Sequence, residues 1–248
     1  MDRCDFLPVS AEEMHERGWW WYDALVVGGD AYVDHPSFGT AVISRVLEAE
    51  GLRVAVLAQP DWHDAEAFRA MGRPRLGVFI GAGNLDSMVA HYTAAKRRRS
   101  EDFYSPGKRT GCRPDRAAIV YCNRAREAFG PDVPIILGSL EASLRRFAHY
   151  DYWDDSVRRA ILFDAPADLL VYGMGEAATI EIAHRLKKKQ SVHTMTDIPG
   201  TGYITRDPSV CKFDHITLPS FEDVRDDKRL YAEATRTEYA EHDPVRGR

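Results

Sequence analysis

The sequence predicts an α/β fold built on a doubly wound, mainly parallel five-stranded sheet with helices on both faces. Two observations predict it. Five short apolar runs recur along the chain, and amphipathic stretches separate them, the pattern of repeated strand–helix–strand units. Four of the five runs end in glycine-bearing turns: Val27-Gly-Gly-Asp30, Ile80-Gly-Ala-Gly-Asn84, Leu137-Gly-Ser139 and Tyr172-Gly-Met-Gly-Glu176. Such turns suit parallel strands passing into crossover helices. Right-handed crossovers and a strand order of 2-1-3-4-5 are the defaults for a Rossmann-like sheet of this size.

The elements follow in order. Residues 24–27 form the first strand. A helix over 38–50 carries Val42, Val46 and Ala49 on one face and Arg45 and Glu48 on the other, and Gly51 stops it. The second strand is 54–57, followed by a short helix over 65–71. The third strand is 76–80, and Asn84 or Asp86 caps a helix running toward Ala95. Residues 96–113 read as a long polar loop. Pro114 suits the first turn of a helix to about Phe129. The fourth strand is 135–137, and a helical segment is expected over 141–161. The fifth strand, 168–172, leads into a helix over 176–189 with a Glu181–Arg185 pair. Residues 1–190 are expected to form this domain and 191–248 a polar linker or extension. Ser220 and Asp223 resemble a capping box for a polar helix over 221–240.

The 248 residues are 44% hydrophobic, enough for a sizeable core. A net charge of -5 argues against a general polyanion binder. No apolar run approaches the ~20 residues that span a bilayer. The first ten residues hold Asp2 and Asp5 and no apolar core of a signal peptide, so a cytoplasmic chain is expected. Cys4, Cys112, Cys122 and Cys211 are widely and irregularly spaced, which favours free thiols over a metal site. Cys122 reads as a core helix position and Cys112 as an exposed thiol.

Candidate function concentrates at the carboxyl ends of the strands, where open α/β sheets bind ligands. There glycine lets backbone N–H groups approach a ligand, or simply makes a tight turn. Gly81 and Gly83 supply only GxG, no nucleotide fingerprint is complete, and no GxxxxGK[ST] exists. The loop Asp30-Ala-Tyr-Val-Asp34-His35-Pro36-Ser37-Phe38-Gly39 is the most polar constellation. His35 is a candidate metal or cofactor ligand or general base; alternatively Asp34 orients it and Ser37 caps the next helix. The candidate binding residues are Asp30, Asp34, His35, Gly81, Gly83, Asn84, Ser139 and Glu176. Glu141 at a helix start is explained by the dipole alone. The aromatic and acidic stretch 149–155 packs a subdomain or docks a second domain.

Two rival readings use other residues. Lys96-Arg-Arg-Arg99 and Lys108-Arg109, with Tyr92, Phe103 and Tyr104 nearby, could grip RNA through the 96–113 loop. Asp34 and His35 could serve a hydrolase, although no GxSxG elbow is present.

Several long strings carry a family resemblance. Gly29-Asp-Ala-Tyr-Val-Asp-His-Pro-Ser-Phe-Gly39, Ala58-Gln-Pro-Asp-Trp62, Ala82-Gly-Asn-Leu-Asp-Ser-Met88, Arg113-Pro-Asp-Arg116, Ala142-Ser-Leu-Arg-Arg-Phe-Ala-His-Tyr-Asp-Tyr-Trp153 and Leu170-Val-Tyr-Gly-Met-Gly-Glu176 resemble the N-terminal part of YgiQ-type radical SAM proteins. The resemblance covers essentially the whole chain. It implies a following radical SAM barrel whose CxxxCxxC motif holds a [4Fe–4S] cluster that cleaves S-adenosylmethionine. No such motif occurs in this chain, so neither cofactor is assigned to its residues and catalysis on its own is not expected. A barrel, in cis or in trans, is the expected partner, and no membrane partner is. The family's N-terminal region is similar to cobalamin-binding domains, whose ligand-binding form uses DxHxxG. Here Val33 stands two before His35 and Phe38 three after it, so the motif does not support cobalt ligation by His35. What carries over is the fold and the Gly173-Met-Gly-Glu176 turn.

Overall fold

A computed structural model describes residues 6–242 together with Val245 and Gly247; Asp2, Cys4 and Asp5 lie outside the described residues. The helix α1 (Ala11–Glu16) precedes β1 (Ala24–Gly28), α2 (Gly39–Ala49), β2 (Val54–Ala58), α3 (Glu66–Ala70), β3 (Gly77–Gly81), α4 (Ser87–His91), α5 (Ala117–Phe129) and β4 (Ile135–Leu137). Then come α6 (Ser139–Leu144), a hairpin of β5 (His149–Asp151) and β6 (Ser156–Arg158), β7 (Leu169–Val171) and α7 (Glu176–Lys187). The chain continues through β8 (Thr201–Gly202), α8 (Phe221–Asp226) and α9 (Lys228–Glu241).

The main sheet has the order β2-β1-β3-β4-β7-β8. Its first five strands are parallel, in the expected 2-1-3-4-5 arrangement, with Val26 beside Val56 and Phe79, and Phe79 beside Ile136. A sixth, antiparallel strand comes from the segment read as an extension: β8 pairs Thr201 with Val171. Val192, Met195 and Ile198, on the way to it, are buried in the core.

The strands are apolar throughout because both faces are covered. Side chains alternate. Leu25, Val27, Val78, Ile80, Ile135 and Leu137 pack with Phe68, Tyr121 and Phe129 of α3 and α5. Val26, Val54, Val56, Phe79 and Ile136 pack with Leu47, Ile182 and Leu186 of α2 and α7. Each fully buried Leu, Ile or Phe contributes about 1.5–3 kcal/mol, so the two layers dominate stability.

Four local expectations are corrected. The helix expected over 141–161 ends at Leu144, and a hairpin follows. Its turn places Asp155 at φ 51°, and Asp151 accepts the N–H groups of Trp153 and Asp154, local bonds that compete with a helix. The helix expected from Pro114 starts at Ala117, because Arg116 is left-handed with φ 51°. The helix after Asp86 stops at His91 rather than near Ala95, since Tyr92 is extended and pairs with Arg98. The helix over 221–240 is two helices, broken where Asp227 turns extended and caps the second. The Ser220–Asp223 capping box and the Asp86 cap are present as expected.

Candidate functional site at the carboxyl edge of the sheet

The carboxyl edge is divided in two. On the β2 side it is closed by the chain's own residues 101–113, which reach the turn that follows β1. Tyr104 O accepts the N–H of Ala31 at 2.9 Å, and Gln59 donates to Ser105 Oγ at 2.7 Å and to Gly29 O at 2.9 Å. The anchor is Arg113, which is 1% exposed. It donates to both oxygens of Asp102 (3.0 and 2.9 Å) and to Asp30 Oδ1 (2.8 Å). Asp30 Oδ2 also accepts the N–H of Asn84 at 2.7 Å. Burial pushes the Asp30 carboxyl up from its ordinary range, against the Asn84 N–H and the Arg113 charge, which pull it down.

Two glycines make room for this network. Gly83 has φ +108°, and a Cβ there would sit 2.2 Å from Asp30 Oδ1. A Cβ on Gly29 would sit 2.0 Å from Ala82 O. Both are close-approach glycines, at positions where no other residue fits.

Asp34 and His35 are not partnered with each other. Asp34 is held by Arg45 of α2, through Nε at 3.1–3.2 Å and through Nη2. The exposed His35 accepts the N–H of Ser37 on Nδ1 at 3.1 Å. A neutral imidazole accepting on Nδ1 carries its proton on Nε2, so Nε2 has no lone pair for a metal. Residues 34–39 therefore do not fit a His-ligated cobalamin. Nor does Ser37 cap the following helix, which starts after Phe38 with no side-chain cap. The loop is tied instead to Asn84, whose Nδ2 donates to Ser37 O (2.9 Å) and whose Oδ1 accepts from Gly39 (3.3 Å).

Over β1, β3, β4 and β7 the edge is open. A cavity of about 300 Å³ lies there between α2 and α7. Val26, Ile43, Phe79, Ile136 and Val171 supply apolar walls; Thr40, Gly81, Gly83, Ser139, Glu176 and Thr179 also line it. Gly81 admits Ser139: a Cβ on Gly81 would lie 3.1 Å from that of Ser139. Ser139 takes φ 73°, left-handed backbone that costs a non-glycine residue about 1–3 kcal/mol. Its Oγ accepts the N–H of Ala82 at 3.1 Å, joining the turns after β3 and β4.

Four of the eight expected residues, Gly81, Gly83, Ser139 and Glu176, thus meet at one cavity. Asp30 and Asn84 are joined to each other behind Gly83 and are not among the lining residues, and Asp34 and His35 lie on the neighbouring loop. Arg113, Asp102, Thr40 and Thr179 were missed. A buried arginine held by two aspartates has no local signature, and a threonine on an amphipathic helix gives no sign that it faces a cavity.

Two other expectations change. Glu141 is 1% exposed and does more than meet a helix dipole. It accepts the N–H groups of Ser87 (2.8 Å) and Ala118 (3.0 Å), closing the starts of α4 and α5. Burial, with Asp86 adding to it, raises its carboxyl above the ordinary range. The 96–113 segment keeps its basic side chains Lys96–Arg99, Lys108 and Arg109 exposed, but Asp102, Ser105 and Arg113 are buried and several basic groups are tied to the protein itself. Lys96 donates to Trp153 O at 2.9 Å beside the Tyr152 and Trp153 rings, Arg99 donates to Val89 O at 3.0 Å, and the Trp153 ring lies tilted against Tyr92, 4.2 Å between centroids. These contacts remove the support for an RNA-gripping loop. Cys122 is buried and Cys112 only partly exposed. Among the described residues no group of three His, Cys, Asp or Glu is placed to hold a metal ion, and no helix is long and apolar enough to cross a membrane.

Fold and edge together define an α/β domain with a cavity at the carboxyl ends of a parallel sheet. The chain belongs to the Radical SAM N-terminal family, which it matches over residues 6–248. It is 54% identical to a UPF0313 protein of Clostridium botulinum (strain 657 / Type Ba4) over 248 residues, 100% of this chain and 38% of that one. It is 53% identical to a UPF0313 protein of Clostridium perfringens (strain SM101 / Type A), of which it covers 37%. The chain thus spans well under half the length of these relatives. A solved structure of the radical S-adenosylmethionine methyltransferase TsrM from Kitasatospora setae, with cobalamin and a [4Fe-4S] cluster bound, is similar with a TM-score of 0.47 and 20% identity, over 74% of this chain and 27% of that one.

Proposed function

We propose that this chain is the cover of a radical SAM barrel, a cytoplasmic non-catalytic region that presents the carboxyl edge of its sheet to a barrel belonging to the same polypeptide in longer relatives. In that arrangement the barrel supplies the cluster and S-adenosylmethionine chemistry. This region supplies a wall and a ligand cavity. Gly81, Gly83, Ser139 and Glu176 line the cavity, Asp30 and Asn84 brace the turn beside Gly83, and Asp34 and His35 lie on the adjoining loop.

The observation that carries the reading is an apolar ring left uncovered beside the cavity. Leu140 is 45% exposed, Leu144 60% and Met174 91%, and Tyr172 lies with them. Leu140 and Leu144 are one helical turn apart on the outer face of α6, while Ala142 points inward. The Gly173 N–H donates to Ser143 Oγ at 3.3 Å, so the two turns form one surface. Contiguous exposed apolar residues around a cavity mark an interaction face. The helix α9 reaches the same edge, through Arg146, which pairs with Glu238 at 2.6 Å and lies 5.1 Å from the Tyr172 ring.

The test is hydrogen exchange of this chain with and without the remainder of the C. botulinum relative supplied in trans. Protection of residues 139–147 and 172–176, lost in Leu144→Asp/Met174→Asp, is the expected result. Binding that protects other surfaces, or no binding, overturns the reading.

A further inference from the structure

The cavity has a chemistry of its own, and three features define it. First, it is small and apolar in depth. At about 300 Å³ it stands at the lower limit of ligand pockets, room for one or two fused rings. Second, a hydroxyl-bearing side chain stands inside it: Thr179 is 3% exposed and lines the cavity, where its hydroxyl can donate to or accept from a ligand. Thr40, on the α2 side, also lines the cavity.

Third, the charge at the cavity is negative. Glu176 lines it, has no ion-pair partner among the described residues, and no Lys, Arg or His is among the lining residues. The uncapped start of α7 would by itself favour an anion. Glu176, however, is in the first turn of that helix. Its full charge outweighs the roughly half charge of the helix end, so the α7 side of the cavity repels anions. On the α2 side the Gly39 N–H is already taken by Asn84 Oδ1.

We propose that this cavity binds a small molecule made of one or two fused apolar rings bearing a cationic arm, an arylalkylamine in class, with the rings among Ile43, Phe79 and Ile136 and the ammonium at Glu176. This deepens the reading of the edge as a binding face and rests on it for its biological use, but it is tested on the chain alone.

The probes are tryptamine, indole and indole-3-acetate, titrated by calorimetry into the chain. Tryptamine should bind saturably, and indole-3-acetate roughly tenfold or more weakly, the scale set by one like-charge contact in a partly buried site. Glu176→Gln should narrow that difference to within about threefold while leaving indole unchanged, and Thr179→Val should weaken all three. Thermal melts of both variants establish that they fold; Glu176 is partly exposed, so its variant keeps the assay interpretable if Thr179→Val unfolds. Failure of all three probes to bind saturably overturns the proposal, as does equal affinity for tryptamine and indole-3-acetate or indifference to Glu176→Gln. Tryptamine binding without barrel docking would remove the cover reading and leave this one. Docking without any probe binding would do the reverse.

Discussion

Arg113 Nη1 lies 2.8 Å from Asp30 Oδ1, although 83 positions of sequence separate the two residues. The pair joins the end of β1 to the far end of a long insertion, and Asp102 closes the network from within that insertion. Three buried charges share it, one positive and two negative. It is what turns residues 101–113 from a loop into a lid over half the sheet edge.

Removing the arginine leaves two buried carboxylates facing each other. Arg113→Ala should therefore destabilise by about 3–5 kcal/mol, the range for breaking a buried ion pair from one side. Urea melts read the loss. Limited trypsin digestion should open at Lys108 or Arg109 well before global unfolding. A variant that melts within about 1 kcal/mol of the parent would show that the network does not anchor the insertion.

Gly83→Ala tests the same network sterically. The added Cβ meets Asp30 Oδ1 at 2.2 Å and the backbone is at φ +108°, so neither space nor conformation permits it. The expected loss exceeds about 1 kcal/mol, larger than the ordinary glycine-to-alanine effect and opposite in sign to its entropic gain. Equal or raised thermal stability would contradict the packing described.

At Ser139 the usual ranking of substitutions should invert. Ser139→Ala keeps the left-handed strain and orphans the Ala82 N–H, a loss of about 1–3 kcal/mol. Ser139→Gly loses the same hydrogen bond but relieves strain of about 1 kcal/mol or more. The order of stability should be Ser, then Gly, then Ala, although glycine near a helix start is ordinarily no better than alanine. Melting temperatures of the three proteins decide it.

Glu141 should make stability fall as pH rises. Its carboxyl is raised in the folded state, first by burial and then by Asp86. Between the unfolded value near 4.5 and the higher folded value, the native state binds more protons than the unfolded chain. Its contribution is thus full below pH 4.5 and lost as pH climbs through the folded value. Compared with Glu141→Gln, the parent should gain relative stability when urea melts are moved from pH 7 to pH 5. A relative loss on acidification would mean that the two N–H groups it accepts outweigh burial.

His35 gives a spectroscopic prediction. With Nδ1 accepting from Ser37, Nε2 carries the proton and is no ligand. The visible spectrum of hydroxocobalamin mixed with the chain should be the same for the parent and for His35→Ala. A spectral change that depends on His35 would show that the loop rearranges to free that nitrogen.

The alternation of apolar strands and amphipathic helices was enough to predict a mainly parallel sheet, because burial on both faces demands continuous apolar runs; the 2-1-3-4-5 order was the default for that class, and the structure has it. The glycines at their ends pointed to the edge where the cavity lies, because only glycine tolerates the close approaches at Gly29 and Gly83. Local capping rules found Asp86 and the Ser220–Asp223 box, since both act within one helical turn. The hairpin of β5 and β6 could not be read in the same way. Its Trp153 finds partners at Tyr92 and Lys96, and its aspartates Asp151 and Asp154 at Arg116. The sequence alone therefore determined the sheet and which of its edges carries the glycine-bearing turns. Only the tertiary structure decided which half of that edge stays open, because a buried charge such as Arg113 is tolerable only when distant carboxylates meet it, and that meeting is a property of the folded chain.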